Sequence, residues 1–157
     1  ESNTVEDRLV KAKQAVLSYL ENINDIKQKK DAWKYYEILC NRLDDSLGVI
    51  QSIIELTKLE NITFQEISDS VNKLNRLFSH SDFKLDSYDK RVLVKGLFEE
   101  MENRIEEGNA TDYSRLAWLA LNINDEEKAR ELTKEGLDLD PYNSHILSLA
   151  DKLNLLN

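Results

Sequence analysis

The chain has 157 residues, 41% of them hydrophobic, with only four glycines and one proline. It is long enough to bury a core as one or two domains, and too apolar and too poor in breakers to be a disordered linker. A formal charge of −9 opposes nucleic acid and anionic membranes, one cysteine excludes an intramolecular disulfide, and no apolar run is long enough to span a bilayer.

From the N-terminus, Val5, Leu9, Ala12, Val16, Tyr19, Ile23 and Ile26 alternate spacings of three and four, the seam of a long helix lying along a neighbour. Trp33, Tyr36, Cys40, Leu43, Leu47, Ile50 and Ile54 form a second seam, out of phase with the first across Lys30. The basic run Lys27, Lys29 and Lys30 suits a helix C-terminus and Asp31 an N-cap, so a turn is expected there. One continuous helix of about 55 residues, roughly 80 Å long, is the alternative. Leu39, Val49, Ile53 and Leu56 give the second helix another apolar face, which predicts a central, doubly buried helix; Cys40 is read as core.

Asn61-Ile62-Thr63 breaks that helix, and Thr63 with Glu66 has the form of a capping box, with Ile62 and Ile67 as the staple. The following helix is seamed by Phe64, Ile67, Val71, Leu74 and Phe78, and the polar stretch Ser79-His80-Ser81-Asp82 reads as a loop. A further helix is predicted from about Tyr88 to Glu107 on Val94, Phe98, Met101 and Ile105, ending at Gly108. Tyr113, Leu116, Ala117, Ala120 and Leu121 then share one helical face, and Ala129, Leu132, Thr133, Gly136 and Leu137 repeat the spacing. Asn124 with Glu127 is read as the cap between them. Pro141 disfavours helix at Asp140, and Ile146, Leu149, Ala150, Leu153 and Leu156 mark a last helix. The sum is an all-α chain of about seven helices with no strand. Residues 1–108 are expected as an antiparallel helical bundle and residues 109–157 as a hairpin with a capping helix, packed as one unit.

The stretch from Tyr113 to Pro141 resembles a tetratricopeptide repeat, whose unit is about 34 residues long. With Pro141 at the closing proline, Tyr113 stands at the opening aromatic position, Leu116-Ala117 and Gly136-Leu137 at the two pairs of one small residue and one leucine, and Ala129 at the repeat's characteristic alanine. Ala120 and Thr133 replace larger aromatics, and the helices upstream do not repeat the pattern. The resemblance implies a scaffold that receives peptides in the groove lined by the first helix of each hairpin, and so points to Arg115, Trp118, Leu119 and Asn122 as partner-binding residues. Ser114 and Trp118 do not supply the lysines and asparagines of the family's clamp for acidic C-terminal tails. Trp118 lies off the main apolar stripe and is expected to pack on the preceding helix.

Catalytic signals are sparse. Two histidines far apart, one cysteine and no CxxC, HExxH, GxGxxG or GK[ST] pattern leave no metal, cofactor or phosphate loop to propose. Arg76 and His80, four apart beside the polar loop, resemble the ribonuclease motif of HEPN domains, with a shorter spacing than that family uses and Leu77 in place of a polar residue. This is the remote alternative. Acidic residues outnumber basic ones 19 to 12 from Asn61 onward, against 11 to 9 before it, a field that favours a basic partner. The expectation is a cytoplasmic, non-enzymatic protein-interaction or assembly module. Self-association of the seamed helices as a homo-oligomer is the alternative. The opening Glu1-Ser2-Asn3, without methionine, leads us to expect a fragment of a larger multidomain protein.

Overall fold

Each described α-helix starts at a side chain that satisfies a free backbone amide, and the computed structural model, which describes residues 4–80 and 83–156, is all-helical. Eight α-helices and one 3-10 turn occupy the described residues, with no strand among them. Glu1, Ser2, Asn3, Ser81, Asp82 and Asn157 lie outside the described residues.

Two compact units divide at Ile62 and Thr63, whereas the sequence led us to expect a boundary at Gly108. The first holds α1 (Val5–Leu20), α2 (Ile26–Arg42) and α3 (Ser46–Thr57). The turn expected at Lys30 lies earlier: α1 closes at Leu20, and Asp25, not Asp31, caps α2 by accepting from Gln28 N at 2.9 Å. The second expected helix is in fact two. It breaks at Asp44, whose φ of 53° is left-handed, and Asp45 caps α3 through Gly48 N at 3.0 Å. Short polar side chains tolerate that backbone region better than other non-glycine residues. The doubly buried helix is therefore replaced by a hairpin, with α2 packing against both α1 and α3. Tyr36, Leu39, Cys40, Val49, Ile50 and Ile53 form its core. No residue of α1 is fully buried, so its seam contributes only half-covered area at about 25 cal/mol per Å².

The second unit holds α4 (Phe64–Phe78), α5 (Ser87–Asn103), a 3-10 turn (Ile105–Glu107), α6 (Ala110–Asn122), α7 (Glu126–Leu139) and α8 (Ser144–Lys152). The Thr63–Glu66 capping box is present. So is one at Asn109 and Asp112 that starts α6. The cap between α6 and α7 differs from expectation: Asn124 is left-handed at φ 61°, and Asp125 accepts from Lys128 N at 3.1 Å. α6 is the central element, packing on α4, α5, α7 and α8, while α5 also meets α4 and α8 meets α7. Leu116, Ala117, Leu119 and Ala120 are its fully buried residues. Small residues sit where these helices approach. A Cβ on Gly136 would overlap Ile146 and lie 3.3 Å from Tyr113 Cβ.

Candidate functional site: a groove along α4, α6 and α8

Polar residues of α4 recur at helical period along the flank of its buried seam, with Asn72, Asn75 and Arg76 and the C-cap Ser79 on one stripe. Across from them α6 presents Thr111, Ser114, Arg115, Trp118 and Asn122, and α8 adds His145; together they line an open groove of about 500 Å³. Three of the four residues expected to bind a partner, Arg115, Trp118 and Asn122, line it. Leu119 does not. It is fully buried, because the face of α6 that carries it is turned into the core.

The floor of the groove is a hydrogen-bonded network that fixes α4 against α6. Asn75 Nδ2 donates to the Arg115 carbonyl at 2.9 Å, and Asn122 Nδ2 donates to Asn75 Oδ1 at 2.9 Å. Arg115 Nη1 donates to Ser68 Oγ at 3.0 Å and to Asp69 Oδ1 at 2.9 Å. Its guanidinium is thus oriented and partly neutralised. Arg76 is exposed and makes no ion pair with a described residue. On α8, Asn143 both caps the helix and donates from Nδ2 to Thr111 Oγ1 at 3.0 Å.

Trp118 departs from its expected packing on the preceding helix. It is 36% exposed at the groove, and Lys152 Nζ stands 5.5 Å from its ring centroid, a distance at which the ring quadrupole attracts a cation. Arg76 lines the groove and the exposed His80 is not among its lining residues. Asn72, Asn75 and His145 had no place in the sequence reading, and Arg76 entered it only as the partner of His80. The α4 stripe was legible as a period, but which helices it would face was not.

No family model, characterised protein or solved structure matches this chain. The site therefore stands on its own chemistry. Among the described residues no cluster of histidine, cysteine or carboxylate groups has the arrangement of a metal site, and no helix is long and apolar enough to cross a membrane.

The first unit carries a different concavity, a cleft of about 570 Å³ between α1 and α2, with Ala12, Ala15 and Ala32 flanked by Tyr19 and Tyr35. Beyond it Lys13 Nζ meets Asp45 Oδ2 at 2.6 Å. That bond holds the lysine above its ordinary value. Burial works to raise the Asp45 carboxyl, but Lys13 and the Gly48 amide together bring it below its ordinary value. Burial pushes the Cys40 thiol and the Tyr36 phenol up.

Proposed function

We propose that this chain is a non-enzymatic interaction module that binds an extended peptide or protein segment in the groove along α4, α6 and α8. The observation that carries the reading is the composition of that groove. Amides, hydroxyls, two arginines and one half-exposed tryptophan converge on a single concavity, a few polar groups to orient a ligand and one aromatic surface to anchor it. The succession of contacts gives further support to a tetratricopeptide-like reading. α4 packs on α6 and α6 on α8, the first helices of successive hairpins, while α5 and α7 pack beside them.

The test is selection of a random short-peptide display library on the chain, followed by calorimetric titration of the enriched peptides against Trp118→Ala and Asn122→Ala. Trp118 is 36% exposed at the groove and lies off the fully buried face of α6, and circular dichroism of Trp118→Ala controls for folding. Loss of about tenfold in affinity or more in Trp118→Ala is expected for an aromatic anchor. Undiminished binding in both folded variants would remove the groove from consideration.

Self-association through the first unit is a second reading. It is favoured by the open α1–α2 cleft and by Tyr19, Tyr35 and Ile38, each about half exposed. Sedimentation checks it: a strict monomer in which Tyr35→Glu changes nothing removes it.

A further inference from the structure

The groove differs in sign from the chain around it. From Asn61 onward acidic residues outnumber basic ones 19 to 12, yet the described lining includes Arg76 and Arg115, with His145 beside them, and no carboxylate among the described residues. Lys152, over Trp118, joins the two arginines as a third cation, at the α8 side. Among the described residues Asp69 pairs with Arg115, and with Arg115 alone of the two arginines. Arg76 is left as an exposed cation with no described carboxylate paired to it, and neither Asn72 nor Arg76 donates a side-chain hydrogen bond to a described residue. A concavity whose described lining carries arginines and no carboxylate concentrates positive potential, because its low-dielectric walls focus the field of those cations.

From this we infer that the ligand is an acidic peptide segment, with Asp or Glu side chains laid against Arg76 and an apolar or aromatic side chain against Trp118. The whole-chain charge pointed toward a basic partner; the local charge of the groove points the other way. Local charge governs contact, since at physiological salt fields from the remaining surface are screened beyond about 8 Å. Arginine suits the role because its planar fork pairs a carboxylate with two parallel bonds. Asn72 offers both a donor and an acceptor to the backbone of an extended segment.

The inference rests on the groove reading, and the same library selection separates the two. Enrichment of Asp- and Glu-bearing peptides is expected, with affinity falling as salt rises and falling about tenfold in Arg76→Glu. Selection repeated on Arg76→Glu should enrich Lys- and Arg-bearing sequences instead. Enriched peptides that are neutral or basic, and that weaken in Trp118→Ala but not in Arg76→Glu, would overturn the acidic class while leaving the groove in place. No enrichment, or peptides indifferent to both variants, would overturn the groove reading and this inference together. Circular dichroism of Arg76→Glu controls for folding, and Arg76→Lys, which keeps the charge, should retain the acidic preference with a smaller loss.

Discussion

The hydroxyl of Ser68 donates to the carboxylate of Asp112, a buried bond that joins α4 to α6. The other Asp112 oxygen accepts from the Asn109 amide at 2.9 Å as part of the capping box, and Ser68 Oγ also accepts from Arg115 Nη1. One carboxylate thus starts α6 and anchors it to the helix across the groove. Ser68→Ala leaves that buried carboxylate a donor short, and we expect it to cost about 1–3 kcal/mol in urea unfolding. Asp112→Ala, which also loses the cap, should cost more. The double variant should fall short of the sum by about 0.5 kcal/mol or more, because the two residues share a network. Strict additivity would mean that they act independently.

Gly136 sits in the interior of α7, where alanine would normally stabilise by about 1 kcal/mol. Here the added methyl would meet Ile146 Cγ1 at 2.9 Å, with Ile146 fully buried on α8. Overpacking of this kind costs roughly 1–3 kcal/mol. Gly136→Ala is therefore expected to destabilise despite its helix propensity. Ile146→Val removes Cδ1, the atom a new methyl would overlap most, but keeps Cγ1, so Gly136→Ala with Ile146→Val should recover only part of the loss. The midpoint of thermal unfolding checks both. A stabilised single variant would show that α8 yields freely.

The second half of the fold was legible because its signals are local. Thr63 with Glu66, the seam of α4 and the small residues Ala117, Ala129 and Gly136 are each read from a few positions of sequence. The first half misled because a seam has the same period whether or not the helix beneath it is broken. Leu43 and Leu47 continue the seam across a turn that Asp44 makes in left-handed conformation, with Asp45 N donating to the Cys40 carbonyl at 2.9 Å. Asn124 and Asp125 make the same turn, with Asp125 N on the Ala120 carbonyl at 2.8 Å. In both, a short polar residue ends one helix and the aspartate after it caps the next. That dipeptide, rather than a glycine or proline, was the available signal. The groove was half legible: α6 could be picked out as a lining helix, but α4 and α8 join it only through tertiary packing.

Cys40 is fully buried, and burial raises its thiol above the ordinary value. Since the thiolate is the reactive species, both effects slow modification. Native protein is expected to react with a thiol reagent such as 5,5′-dithiobis(2-nitrobenzoate) only through opening of the first unit. Denatured protein should react at the rate of a free thiol. Labelling rates measured against urea concentration check this, and rapid modification under native conditions would show that α2 and α3 separate readily.

The bond between Lys13 and Asp45 attaches α1, a helix with no buried residue of its own, to the α2–α3 turn. Its effect on stability has a defined pH window. Asp45 titrates lower in the folded chain than its ordinary 3.8, so its contribution is present above that value and is lost as pH falls through the folded one. Lys13 titrates higher than its ordinary 10.5, so its contribution is present below that value and is lost as pH rises through the folded one. The first unit should therefore show a plateau between these limits with a fall at each end. Both side chains keep part of their surface in water, 25% and 30%, so the pair is worth only about 1 kcal/mol. Lys13→Met preserves the aliphatic stem and removes the charge. It should lower the plateau by that amount and weaken both limbs. Asp45→Asn should do the same while retaining a cap for Gly48 N, since asparagine also accepts there. Each unit carries one tryptophan, Trp33 and Trp118, so in a Trp118→Phe background urea unfolding followed by fluorescence reports on the first unit alone. An acid limb that is identical in Lys13→Met and its parent would show that Asp45 is held by the Gly48 amide and not by the lysine.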